Sequence, residues 1–138
     1  MIILDTNVIS ALMRDTPDRS VVAWLNRQPM ASVWTSSVTV FEVRFGLALL
    51  PHGRARSRLQ EAFETILEQD LEDRVLSFDA QAATAAALIA ADRRRAGRPV
   101  EIRDTQIAGI AAAHRATIAT RNLRHFEDLD LSVVNPWN

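Results

Sequence analysis

Short apolar runs alternate along the chain with longer stretches of helical periodicity, and this alternation predicts the elements. Met1-Ile2-Ile3-Leu4 reads as a buried first strand over about Ile2 to Leu4, followed by a helix to about Met13. Asp15-Thr16-Pro17-Asp18 breaks that helix, and Asp18 caps the next one, Val21 to Arg27. Ala31 to Thr35 predicts a second strand, and Ser36 or Ser37 caps a strongly apolar helix containing Glu42. Pro51-His52-Gly53 punctuates before a helix whose stripe is Leu59, Phe63, Ile66 and Leu67. Val75 to Phe78 predicts a third strand. Asp79 then caps an alanine-dense helix that stops near Gly97, with Pro99 just beyond. Asp104 opens a further apolar helix to Ala113, and Thr117 to Thr120 predicts a fourth strand. Asn122 to Glu127 reads as a turn or short helix, and Ser132 to Val134 as a last short strand.

This order predicts the α/β class: a mostly parallel sheet of four or five short strands with helices on both faces. A chain of 138 residues is sized for one domain, spanning 1–138, around one substantial core. Functional residues of such sheets gather at the carboxyl ends of the strands, near a topological switch point. Asp5 ends the first strand, and Thr120-Arg121-Asn122 ends the fourth. Glu42 and Asp104 fall in or near the first turns of helices that start from the same edge.

An unpaired buried carboxylate is costly, and a cluster of them more so, unless a cation neutralises it. A hard divalent ion is the simplest compensation. Each acid also has a plain structural reading. One that follows a strand can be only a helix N-cap, and Asp104 can serve only a helix N-terminus. Glu42 is harder to explain that way, because Val38, Phe41, Val43 and Phe45 surround it with an apolar stripe. The convergence of four segments carries the metal-site reading; no single residue does.

Composition narrows the chemistry further. Cysteine is absent, which excludes disulfides, thiol catalysis and cysteine-bound zinc, and accords with a cytoplasmic location. All 16 cationic residues are arginine. Phosphate-loop binding, Schiff bases and aspartyl phosphotransfer of the haloacid-dehalogenase type all lean on a lysine, which this chain lacks. Net charge is −1, without the basic excess of simple nucleic-acid binders. No apolar run reaches membrane-spanning length and no signal-peptide pattern precedes Asp5.

Four stretches in this order resemble one known family: Ile2-Ile3-Leu4-Asp5-Thr6-Asn7, Ser36 to Gly46 around Glu42, Asp104-Thr105-Gln106-Ile107-Ala108, and Ala119-Thr120-Arg121-Asn122. Asn135-Pro136 adds a fifth match near the end. Together they resemble the PIN-domain nucleases, most closely the VapC-type toxins of bacterial toxin–antitoxin pairs. The resemblance implies a three-layer α/β/α sandwich, Mg²⁺ or Mn²⁺ dependence and cleavage of single-stranded RNA. It also implies homodimerisation, inhibition by a small antitoxin encoded alongside, and the prospect of a larger toxin–antitoxin assembly. Asp5, Glu42 and Asp104 fall on the family's acidic ligand positions. Asn122 falls on a fourth, which keeps an oxygen acceptor but not a charge.

Thr6 and Asn7 are expected to fix the loop of Asp5, Thr120 to do the same for Asn122, and Arg121 to contact phosphate or sit solvated. Arg115 stands where relatives often have glycine, so a left-handed helix cap there is strained. His125, three residues past Asn122 where relatives often have an acid, reads as a surface histidine on a turn, with orientation of substrate as the alternative. Arg54, Arg56 and Arg58, and Arg93-Arg94-Arg95 with Arg98, form two candidate strips for RNA backbone, with solvated helix faces as the alternative. Trp24, Trp34 and Trp137 suit packing better than base stacking. Two other functions compete. A metal-dependent phosphatase using Asp5 as nucleophile lacks the lysine and has Asn7 where a second aspartate is expected. A non-catalytic binding subunit is disfavoured by the intact acidic trio and left open by Asn122.

Overall fold

The computed structural model describes Met1–Asn138. Five strands form one sheet in the order β3-β2-β1-β4-β5: β1 (Ile2–Leu4), β2 (Val33–Ser36), β3 (Val75–Leu76), β4 (Thr117–Ala119) and β5 (Val133–Val134). Every neighbouring pair is parallel. The chain builds outward from β1 to β3, then returns to the other side of β1 for β4. The strand order therefore reverses between β1 and β4, where their carboxyl ends leave a crevice.

Six helices cover the sheet: α1 (Thr6–Leu12), α2 (Arg19–Asn26), α3 (Ser37–Leu49), α4 (Arg54–Thr65), α5 (Ala80–Arg95) and α6 (Ile102–His114). Alternation along each strand feeds two cores. Leu4, Val33 and Ala119 face a cluster built with α1 to α4, including Val8, Ile9, Val21, Val43, Leu47 and Phe63. Ile3 and Ile118 face the opposite cluster with α5 and α6, including Ala82, Ile107, Ile110 and Phe126. The expected α/β/α sandwich is what the chain forms. No helix is long and apolar enough to cross a membrane.

Several boundaries differ from those the sequence predicts. A 3₁₀ turn over Met30–Ser32 delays β2 to Val33. β3 stops at Leu76 because the Phe78 N–H donates to Ser37 Oγ at 3.0 Å instead of continuing a ladder. Asp104 does not open α6: Glu101 caps it, accepting from the Arg103 N–H at 2.6 Å, and Asp104 sits inside the first turn. Helix α4 runs on into a π-helical turn, Ile66–Asp70, whose wider winding lets Ile66, Leu67 and Leu71 all reach the core. Arg115 does take the left-handed C-cap position, at φ 53°, at a cost of about 1 kcal/mol relative to glycine.

The alanine-rich helix α5 finds its cover inside the molecule. It packs closely on α6 at Gly109, where an added Cβ would lie 2.6 Å from the Ala82 carbonyl oxygen and 2.6 Å from Ala86 Cβ. In a free helix, Ala is favoured over Gly by about 1 kcal/mol. Here the clash is with backbone and outweighs that gain. Gly109→Ala is expected to destabilise by about 3 kcal/mol and lower the melting temperature by roughly 10 °C. A variant melting at or above wild type would contradict the close approach.

Candidate functional site

Asp5 leaves β1 as the N-cap of α1, so the same carboxylate that starts the helix points into the crevice. It is almost fully buried. Its Oδ1 accepts from the Thr6 N–H at 2.8 Å, and its Oδ2 accepts from Thr120 Oγ1 at 2.7 Å. Thr120 Oγ1 in turn accepts from Asn7 Nδ2 at 3.2 Å and from the Asn122 N–H at 3.0 Å. Asn7 Oδ1 accepts from the Arg121 N–H at 3.2 Å. These bonds tie the end of β4 to the end of β1. Thr120 therefore holds Asp5 itself as well as the turn of Asn122.

Glu42 enters from the second turn of α3. Ser36 caps that helix by accepting from the Thr39 N–H, and the buried Thr39 hydroxyl lies 3.1 Å from Thr6 Oγ1. Thr6 Oγ1 donates to Glu42 Oε1 at 2.9 Å. Thr6 thus links two of the three acids, one through its backbone and one through its side chain. Phe41 and Phe45, which flank Glu42, lie exposed and stacked at 5.9 Å on the outer face of α3 rather than in the core. Their exposure leaves Glu42 on the crevice side. On the opposite wall Arg103 Nη1 lies 3.8 Å from Glu42 Oε2, and its Nε pairs with Glu101 at 3.0 Å.

Asp104, half-buried in the first turn of α6, meets a residue expected on the surface. His125 Nδ1 lies 2.6 Å from Asp104 Oδ2, without the alignment of a full hydrogen bond. The 3₁₀ turn Leu123–His125 folds back over α6 and delivers the imidazole there. Arg93 fixes that turn. It is buried at 4% exposure, chelates Asp128 through Nε and Nη2 at 3.0 Å each, and donates to the His125 carbonyl oxygen at 2.5 Å and to Thr105 Oγ1 at 2.8 Å. The expected arginine strip on α5 is therefore not a strip. Arg93 is internal, Arg98 is tied to Glu127, Asp128 and the Arg124 carbonyl oxygen, and Arg95 pairs with Asp92.

Residues 2–131 match the model of the PIN domain family. The chain belongs to that family. It is 41% identical over 137 residues to the VapC ribonuclease Y4jK of Sinorhizobium fredii (strain NBRC 101917 / NGR234), covering 99% of this chain and 98% of the relative. It is 38% identical over 138 residues to toxin FitB of Neisseria gonorrhoeae (strain ATCC 700825 / FA 1090), covering 100% and 99%. The solved structure of FitAB bound to an IR36 DNA fragment superposes with a TM-score of 0.89 at 38% identity, covering 100% of this chain and 96% of that one.

Within this PIN domain the three acids share one electrostatic condition. Burial raises the pKa of Asp5, and the nearby Asp104 charge adds to it against the hydrogen bonds from Thr120 and Thr6. Burial also raises Glu42, with Thr6 and Arg103 opposing and Asp5 reinforcing. Asp104 is raised by burial and by Glu101 and Glu42, while the His125 imidazole opposes. As placed, no three acidic or histidine side chains are gathered closely enough to enclose an ion. The arrangement is an open set of oxygens that repel one another.

A pH dependence follows. An acid whose folded pKa is raised is destabilising in its charged form, so its cost is present above the folded value and disappears as pH falls through it. Metal-free protein should therefore gain thermal stability as pH drops from neutral toward the ordinary carboxylate range. Asp128 acts with the opposite sign. Its hydrogen bonds from Arg93 lower its pKa, so its contribution is lost only in stronger acid. A melting curve that rises and then falls across this range is expected, and Asp104→Asn should flatten the rising limb. A monotonic fall from neutral pH would show that the trio is not strained by its charge.

Proposed function

We propose that this PIN domain, as one unit over 1–138, is a metal-dependent endoribonuclease and the toxin of a toxin–antitoxin pair, hydrolysing phosphodiester bonds in single-stranded RNA. The observation that carries the reading is the placement of Asp5, Glu42 and Asp104 around one crevice: Thr6 bonds both Asp5 and Glu42, and Arg103, next to Asp104 in the first turn of α6, faces Glu42 at 3.8 Å. The likeness to a VapC ribonuclease over nearly the whole chain supports the reaction class. The donor set fits Mg²⁺ or Mn²⁺. It is oxygen only, its charges repel, and a small protein contribution suits an ion that keeps several waters. When bound, such an ion supplies an acidic water and neutralises charge building on the phosphate oxygens.

The chain's own residues do the positioning. Asp5 and Asp104 are the primary carboxylate holders, with Glu42 held toward them by the Thr6 hydroxyl. Thr120 and Asn7 keep Asp5 in one rotamer, as supporting hydrogen bonds do around other such sites. His125 lies against the Asp104 carboxylate, with Nδ1 2.6 Å from Oδ2, and holds that carboxylate toward the end of β4. Asn122 stays close to the site through its backbone N–H, which donates to Thr120 Oγ1. The phosphatase reading is weaker, because the chain offers no lysine to take the phosphoryl charge.

The partner belongs to the same proposal. The matched FitAB structure supports a small antitoxin as the companion of this chain. The exposed pair Phe41 and Phe45, with Ile102 at 58% exposure across the same groove, supports a protein surface on this face, whether antitoxin or a second copy in a homodimer.

The test is cleavage of a fluorescent single-stranded RNA and a DNA of matched sequence, with Mg²⁺, with Mn²⁺ and with chelator. RNA should be cut only in the presence of metal. Equal cutting with chelator, or no cutting of RNA under any condition, would sink the reading.

A further inference from the structure

A cleft of about 370 Å³ lies beside the acids, lined by Arg121, Asn122, Leu123, Arg124 and His125. It adjoins the acids through His125, whose Nδ1 lies 2.6 Å from Asp104 Oδ2, and through Asn122, whose backbone N–H donates to Thr120 Oγ1. Its lining residues include two arginines and no acid. The other arginines around the crevice are already engaged: Arg93 with Asp128, Arg98 with Glu127 and Asp128, and Arg103 with Glu42 and Glu101. Arg121 and Arg124 form no ion pair and are exposed.

Both are nevertheless anchored through their backbones. The Arg121 N–H donates to Asn7 Oδ1 and the Arg124 carbonyl oxygen accepts from Arg98 Nη2. The Arg121 guanidinium also lies over the Trp137 ring, 4.8 Å from its centroid. Such stacking limits the side chain's freedom while leaving its N–H groups able to bond an anion. Trp137 itself packs against the core cluster and is braced by its N–H to Asn135 Oδ1 at 2.9 Å. The result is a cationic wall held next to an anionic centre. An extended phosphodiester chain has that charge requirement, because the scissile phosphate needs a cation on the acids and the next phosphate needs one beyond them.

We propose that the Arg121–Arg124 cleft holds the phosphate adjacent to the scissile one in a single-stranded RNA, with Arg121 positioned for this by Trp137. The proposal rests on the ribonuclease reading and names the substrate group that this part of the site binds. Contact with the backbone, not with a base edge, makes it independent of sequence.

The test measures binding of a labelled single-stranded RNA by anisotropy over a range of salt, in the full chain carrying Asp104→Asn to prevent cleavage. Arg121→Gln and Arg124→Gln are added singly and together. Each should weaken binding and reduce the slope of log K against log salt by about 0.7, the value for one lost phosphate contact on a single strand. Arg121→Lys should retain the slope, and Trp137→Leu should weaken binding less than Arg121→Gln does. In the active chain the loss should appear more in KM than in kcat. Arg19→Gln with Arg27→Gln, exposed at the two ends of α2, is the comparison for general electrostatics.

Three results would overturn the proposal. The first is RNA cleavage by the unaltered chain with an unchanged salt slope in the double variant, which removes the cleft and leaves the ribonuclease reading. The second is an equal loss of slope in the α2 variant, which reduces the effect to net charge. The third is neither binding nor cleavage of RNA by the unaltered chain, which removes the ribonuclease reading itself. Capture of an acidic peptide in the cleft with no effect on RNA belongs with the first.

Discussion

Asp104→Asn is expected to lower metal-dependent RNA cleavage by at least about three orders of magnitude, the equivalent of roughly 4 kcal/mol of lost charge stabilisation. The fold should not suffer. Asp104 is half-buried with a pKa raised by burial, and removing its charge relieves repulsion with Glu42 and Glu101. The metal-free melting temperature should be equal to or above wild type, while added Mg²⁺ should raise the wild type more than the variant. Asp5→Asn should abolish activity equally, but with a smaller gain in metal-free stability. Its new amide would face Thr120 Oγ1, which already accepts from Asn7 Nδ2 and from the Asn122 N–H. One donor would then be left without an acceptor. Full activity in either variant would remove that carboxylate from the proposed metal site.

Arg93→Met should cost stability and activity together, which the acid substitutions should not. The guanidinium makes four hydrogen bonds in a nearly sealed position, and its loss leaves the Asp128 carboxylate with only Arg98 at 3.5 Å and strands the His125 carbonyl oxygen and Thr105 Oγ1. Removing one partner of a buried pair costs about 3 kcal/mol, or roughly 10 °C in melting temperature for a chain of this size. Arg93→Lys keeps the charge but cannot reach all the acceptors at once, so it should recover less than half of the loss. The deficit should narrow in acid. Asp128 has a lowered folded pKa, so its bonded contribution disappears as pH falls through that value. Activity should drop with stability, because the same arginine holds the turn that carries His125. A melting temperature within 2 °C of wild type, a shift worth under about 1 kcal/mol, would show that the network does not bind α5 to the site.

Two of the acids are legible in the chain itself. Asp5 stands out because a short apolar strand ending in Asp-Thr-Asn leaves few places for the acid except the sheet edge. Glu42 stands out because it interrupts an apolar helix, although the reason differs from the expected one: Phe41 and Phe45 face outward. His125 is not legible. Nothing local distinguishes a histidine in Leu-Arg-His-Phe from a solvated one, and its partner Asp104 lies 21 positions earlier in the chain. Arg93 is hidden for the same reason, since a run of three arginines at a helix end looks like a solvated face whichever of them points inward.

Local pattern alone determines the class of the fold and marks Asp5 and Glu42 as candidate acids. Period and punctuation act through neighbours, and a strand or helix states its own apolar face whatever packs on it. Only the tertiary structure decides the partners of those acids. It joins Thr120 to Asp5 across 115 positions, Thr6 to Glu42 across 36 and Arg93 to Asp128 across 35. A hydrogen bond at such range depends on angles and distances set by how α5, α6 and the end of β4 pack, and those are properties of the assembled core rather than of any segment within it.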